Sequence, residues 1–134
     1  MTNMNQQIIE EFRTNNGKVG GFFEKMDLLL LHTTGKRSGQ PRLNPTAYIK
    51  EGNSLVIAAS KAGADSHPDW YYNLKANPEV SVEVGTEKYP ALVEIAPEPE
   101  RTRLYDKLKS IYPGFAEYEL KTNRVIPVIT ISRQ

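Results

Sequence analysis

Ten residues, Thr33-Thr34-Gly35-Lys36-Arg37-Ser38-Gly39-Gln40-Pro41-Arg42, hold three cations, two glycines and three hydroxyl side chains. Gly35 and Gly39 can take positive φ angles and let backbone N–H groups converge on an anion. Lys36, Arg37 and Arg42 can add charge-assisted hydrogen bonds to phosphate or carboxylate. The same composition also suits a solvated β-turn, since glycine and serine are ordinary turn residues. A second segment, Ala59-Ser60-Lys61-Ala62-Gly63-Ala64-Asp65-Ser66-His67-Pro68-Asp69-Trp70, ends a strand in small residues with one lysine and one glycine. Ser66 or His67 then caps a helix, with Pro68 at its first position. Small side chains let a planar ligand approach the backbone, and the helix N-terminus favours an anion. Trp70 is either core or a ligand platform. In a third segment, Tyr112-Pro113-Gly114-Phe115-Ala116-Glu117-Tyr118, two tyrosines flank a proline–glycine bend. They form either an aromatic corner or a pocket wall whose phenols donate hydrogen bonds or protons.

The totals narrow the chemistry. With 17 basic and 16 acidic residues in 134, the net charge is +1. That argues against a dedicated nucleic-acid partner, whereas locally concentrated cations suit a small anionic ligand. The absence of cysteine excludes disulfides, thiolate nucleophiles and thiolate metal sites. No carboxylate dyad, metal-ligand cluster or nucleophile–base pair stands out. No apolar run approaches the roughly 20 residues of a membrane-spanning helix. Met1 to Gln7 lacks the basic-then-apolar pattern of a leader, so the expected setting is the cytoplasm.

The elements that must position these segments read as one domain over 1–134, with an N-terminal helix and hinge (1–22) before a barrel with helices (26–134). Asn5 to Asn16 predicts a helix that either docks on the core or forms a flap over a ligand or at the inner face of the cell membrane. Glu10 and Glu11 weaken the lipid option, because anionic headgroups attract cations. Gly20-Gly21-Phe22-Phe23 is a hinge whose aromatics are core or pocket wall. Six strands follow. Met26 to His32 is apolar on both faces, as inside a closed barrel. Arg42 to Lys50 carries Pro45, which suggests an edge, and Ser54 to Ser60 follows a Glu51-Gly52-Asn53 turn. Val80 to Val84 and Lys88 to Ile95 form the next pair, with Pro90 again suggesting an irregular edge. Leu104, Leu108 and Ile111 give the intervening helix an apolar stripe. Val125 to Ile131 is the last strand, long enough to close the barrel against the first. Leu55, Val56 and the strand-five edge are candidates for a barrel–barrel interface, so monomer and homodimer both stay open.

Taken together, Thr34 to Arg42, Ala59-Ser60-Lys61 with Gly63, His67-Pro68-Asp69-Trp70 with Asn73-Leu74 and Asn77-Pro78, and Tyr112-Pro113…Tyr118 with Arg124-Val125-Ile126-Pro127-Val128 resemble the deazaflavin-dependent nitroreductase family of actinobacteria. The similarity runs from about Leu28 to the end. It implies a mainly β fold with helices (α+β), a six-stranded split β-barrel similar to flavin-mononucleotide-binding (FMN) oxidoreductases. It also implies coenzyme F-420, an 8-hydroxy-5-deazaflavin. Arg37 and Arg42, with Lys36 as neighbour, would clamp the phosphate and glutamate tail. Ser60, Lys61, Ala62 and Gly63, with Pro68 and Trp70, would carry the ring system. Hydride would pass from the reduced coenzyme to an electron-poor acceptor such as a quinone, an enone lactone or a nitroaromatic, with Ser60, Tyr112 and Tyr118 polarising its oxygen. A non-catalytic deazaflavin carrier and an FMN- or haem-binding member of the fold are the alternatives. One departure is Phe115, where nitroimidazole-reducing members of the family resemble one another in having tyrosine.

Overall fold

The structure, a computed structural model, describes residues 4–134, without the side chains of Met4 and Phe22. Residues 1–3 of the N-terminal stretch Met1 to Gln7 and the ring of Phe22, one of the two hinge aromatics, therefore lie outside the described residues. The helices are α1 (Met4–Thr14), α2 (Asp69–Ala76), α3 (Glu100–Ile111) and α4 (Gly114–Leu120). The strands are β1 (Leu28–Thr34), β2 (Pro41–Ala47), β3 (Ile49–Glu51), β4 (Ser54–Ala58), β5 (Glu79–Val84), β6 (Glu87–Ile95) and β7 (Val128–Arg133). They form one sheet, ordered β2-β1-β5-β6-β7-β4-β3, in which every described pairing is antiparallel.

The leucine run of β1 is buried on both faces because two different layers cover it. Successive strand side chains point to opposite faces. Leu29 and Leu31 enter the barrel core beside Ile57, Val82, Ile129 and Ile131, while Leu28 and Leu30 pack under Ile8 and Phe12 of α1. The apolar face of α1 thus packs on the protein through Ile8 and Phe12. Arg13 and His32 fasten the far end of α1, both bonding Glu83 on β5, at 2.7 and 2.6 Å. On the opposite side, α3 and α4 cover Val56, Ala58 and Val128 with Leu104, Tyr105, Leu108 and Phe115. Ile111 of the expected stripe is half exposed instead.

Four expectations need correction. The sheet has seven strands, because the second expected strand breaks at Tyr48: β2 pairs with β1, whereas β3 pairs with β4. The last strand does not close on the first, since β5 and β6 lie between them and β7 pairs with β6 and β4. The fifth expected strand, β6, is internal rather than an edge. Pro90 is tolerated there because it lies at the end of the β6–β7 ladder, next to the last pair, Ala91 with Arg133, where its carbonyl still accepts from the Gln134 N–H at 3.0 Å. Leu55 and Val56 are buried and present no dimer surface. Pro45, by contrast, lies on β2, an edge strand as its type suggested.

The break at Tyr48 is fastened by Tyr112. Its hydroxyl accepts from the Asp27 N–H at 3.0 Å and donates to the Tyr48 carbonyl at 2.8 Å, and the Tyr48 N–H donates to the Asp27 carbonyl at 2.9 Å. Burial pushes the Tyr112 phenol above its ordinary pKa of 10.0, so it stays protonated. Tyr112→Phe leaves the buried Tyr48 carbonyl and the part-buried Asp27 N–H short of a partner and should cost about 1–3 kcal/mol. Urea unfolding monitored by circular dichroism checks this; an unchanged midpoint would remove the fastening role.

Candidate active site

The basic segment is the β1–β2 connection, and it is built as a cradle. The Gly35 N–H donates to the Gln40 carbonyl at 2.8 Å and the Gly39 N–H to the Gly35 carbonyl at 3.0 Å. A Cβ on Gly35 would lie 2.5 Å from Ser38 Oγ and 3.2 Å from the Gln40 carbonyl oxygen, so a side chain there would displace the Ser38 hydroxyl and press on the turn. Buried Asn73 of α2 locks it from behind, accepting from the Lys36 N–H at 2.9 Å while its amide lies 3.4 Å from Thr33 Oγ1. Lys36, Arg37 and Arg42 are exposed and line a cavity of about 500 Å³. Among the described residues none of the three has a carboxylate partner. Three unpaired cations around one hollow suit a polyanion.

From there a groove runs along α2 under α1. A middle hollow of about 320 Å³ shares Arg42, Asp69 and Asn73 with the basic one and is roofed by Asn5, Gln6 and Ile9 of α1. It continues through Asn5, Asn44 and Asp69 into a cavity of about 810 Å³. That cavity is lined by Ser60, Lys61, Ala62, Pro68 and Trp70 together with Phe23, Met26, Phe115 and Tyr118. Helix α1 is therefore both core-docked and a roof, which joins two readings the sequence set apart. Trp70 likewise is 7% exposed in the barrel core and still faces the groove.

The wall at Ser60–Ala62 is a strained shelf. Lys61, Ala62 and Gly63 have φ of 47°, 54° and 85°, a left-handed run that costs non-glycine residues about 1–3 kcal/mol each. Gly63 lies beneath the shelf, outside the cavity, where an added Cβ would meet Lys121 Cβ and the Tyr118 carbonyl at 2.9 Å. Neither Ser60 Oγ nor the Tyr118 hydroxyl hydrogen-bonds another group among the described residues, so both donors stay available to a ligand. Tyr112 does not join them, because its hydroxyl is committed to Asp27 and Tyr48. The expected proline–glycine bend is α4, which turns Phe115 and Tyr118 to the cavity, with ring centroids 5.4 Å apart.

A family model for F420H2-dependent quinone reductases matches residues 4–132. The chain belongs to that family. An F420H2-dependent quinone reductase of Mycobacterium tuberculosis (strain H37Rv) is 35% identical over 127 residues, covering 92% of this chain and 85% of that protein. The solved structure of an F420-H2-dependent reductase, FDR-A, is 38% identical with a TM-score of 0.71, over 78% of this chain and 93% of that one. A second, described as a domain-swapped dimer, is 35% identical with a TM-score of 0.73, over 94% of this chain and 92% of that one. HutZ, a haem storage protein of Vibrio cholerae, is only 16% identical with a TM-score of 0.61 over 94% of this chain and 87% of that one. This last likeness supports the split-barrel fold alone.

Several residues that shape this quinone reductase family member's groove carry little sequence signal. Asp69 lines all three hollows, yet reads in sequence as a first-turn helix acid. Arg124 lies behind the shelf. It donates to the carbonyls of Ala64, Ala59 and Ser60 at 2.8, 3.1 and 2.8 Å and to His67 Nδ1 at 2.9 Å. A guanidinium only donates, so the His67 proton sits on Nε2; burial, then Arg124 and Lys75, hold His67 below its ordinary pKa of 6.5. Asn73 was visible only as part of a motif, its lock on Lys36 being a contact across 37 residues.

Proposed function

We propose that this family member carries hydride from reduced coenzyme F-420 to an electron-poor acceptor of the quinone, enone lactone or nitroaromatic class. The observation that carries the proposal is one continuous groove with three unpaired cations at one end and two uncommitted hydroxyls at the other. Lys36, Arg37 and Arg42 hold the phosphate and glutamate tail. Ser60, Lys61 and Ala62, with Pro68 and Trp70 beside them, carry the ring, over a shelf that Gly63 allows to turn. When bound, the coenzyme supplies the hydride; the chain orients ring and acceptor, excludes water with Phe23, Met26 and Phe115, and donates hydrogen bonds from Ser60 Oγ and the Tyr118 hydroxyl to the acceptor's oxygen. FMN would leave much of the cationic end unused, having one phosphate and no glutamates. The sequence has two histidines that could serve a haem as axial ligand, and both are engaged, His32 with Glu83 and His67 with Arg124.

Stopped-flow absorbance with reduced coenzyme and a panel of acceptors tests the reading. Acceptor-dependent oxidation supports it; tight coenzyme binding with no acceptor that accelerates oxidation would make the protein a carrier. Tyr118→Phe should slow turnover about tenfold, the worth of one hydrogen bond in a desolvated site, with coenzyme affinity nearly unchanged. A Tyr118→Phe enzyme with wild-type turnover on every acceptor would remove that donor from the assignment.

A further inference from the structure

Arg124 is half-buried, and among the described residues no carboxylate lies within ion-pairing distance of it. Its charge is spent on neutral acceptors, three of them carbonyls of one loop. Burying a cation against carbonyls alone is costly, so what this geometry does to the loop matters. In a trans peptide the C=O and N–H point in opposite directions. Drawing the Ala59 and Ser60 carbonyls toward Arg124 therefore turns the N–H groups of Ser60 and Lys61 away from it. Ser60 and Lys61 line the large cavity, whereas Arg124 lines none of the three hollows. The neighbouring amides are already used, Ala59 on the Pro127 carbonyl and Gly63 on the Ser60 carbonyl, both at 2.9 Å. Those of Ser60 and Lys61 have no partner among the described residues.

We infer that Arg124 is a positioning residue which, from behind the shelf, aims the Ser60 and Lys61 amides into the cavity as a paired donor site for a carbonyl oxygen of the bound molecule. Two backbone donors converging on one oxygen stabilise charge that develops there as electrons arrive. The oxygen belongs either to the ring of the coenzyme or to the acceptor, and the inference rests on the groove being the coenzyme's site. The right-handed helical backbone at Ser60, φ −79° and ψ −35°, is what points both amides to one side, and four of the five guanidinium donors hold the loop there.

Amide chemical shifts of the 15N-labelled protein test it directly. With oxidised coenzyme added, the basic-loop amides of Lys36 and Arg37 should move, and the Ser60 and Lys61 amides should move downfield together. If a soluble naphthoquinone moves that pair and the coenzyme does not, the oxygen is the acceptor's. If the basic loop responds and neither molecule moves the pair, the inference is overturned while the groove assignment stands; if the coenzyme moves nothing, both fall. In Arg124→Gln the paired shift should be lost while the basic-loop amides of Lys36 and Arg37 still move with the coenzyme, because the tail site is untouched. Arg124→Lys, which keeps the charge but not the fork, should restore the shift only in part. A folded Arg124→Gln protein that keeps both shifts would show that Arg124 does not aim them.

Discussion

Replacing Arg37 and Arg42 together by alanine should raise the dissociation constant for coenzyme F-420 about 100-fold. Each guanidinium stands to lose a charge-assisted hydrogen bond worth about 1.5 kcal/mol, a little over tenfold apiece. No protein carboxylate has to be released first, since among the described residues neither arginine is paired. The loss should be specific to the tail: a truncated deazaflavin that keeps ring and polyol but lacks phosphate and glutamates should bind wild type and variant alike. Raising salt should weaken the wild type toward the variant, because exposed charges are screened within about 10 Å at 0.1 M. Fluorescence titration of the coenzyme at two ionic strengths reads all of this. Unchanged affinity in the double variant would move the tail elsewhere and dismantle the groove assignment.

Gly63→Ala should damage both stability and turnover. The position combines φ of +85° with a Cβ that would sit 2.9 Å from the Tyr118 carbonyl and from Lys121 Cβ. Backbone strain of about 1–2 kcal/mol adds to a clash that can be relieved only by pushing α4 away from the shelf. We expect a loss of about 2–4 kcal/mol in urea unfolding and at least a tenfold drop in acceptor turnover, since α4 carries Tyr118 and Phe115. Gly52→Ala is the control. There φ is +59° with nothing within 4 Å of the added atom, so only the conformational cost remains, about 1 kcal/mol. Equal losses at both glycines would show that the contact between shelf and α4 carries no weight.

Much of this architecture could be read from residue order, and the misses have physical reasons. The double burial of β1, the turn at Gly52, the edge character of Pro45 and the stripe of α3 all follow from local pattern. The convergence of the basic loop, the Ser60 shelf and the aromatic segment came from resemblance rather than periodicity. The break at Tyr48 left no trace because no glycine or proline marks it; it depends on Tyr112, 64 residues away. Helix α4 is seven residues long, too short for a periodic signal and opened by residues that also make a bend. That ambiguity is why Tyr112 and Tyr118 looked equivalent, when one fastens the sheet and the other faces the cavity. Arg124 is legible in the sequence only as part of a motif, and its partners are what give it a role.

The groove's two ends are made by different stretches of chain. The cationic end belongs to the hairpin between β1 and β2, secured by Asn73, while the far wall comes from α4 and the turn at Phe23. Under the proposed assignment, substitutions along that wall would retune which oxidant fits without disturbing the loop assigned to the electron source. A lineage built on this plan can diversify what it reduces while staying loyal to one donor.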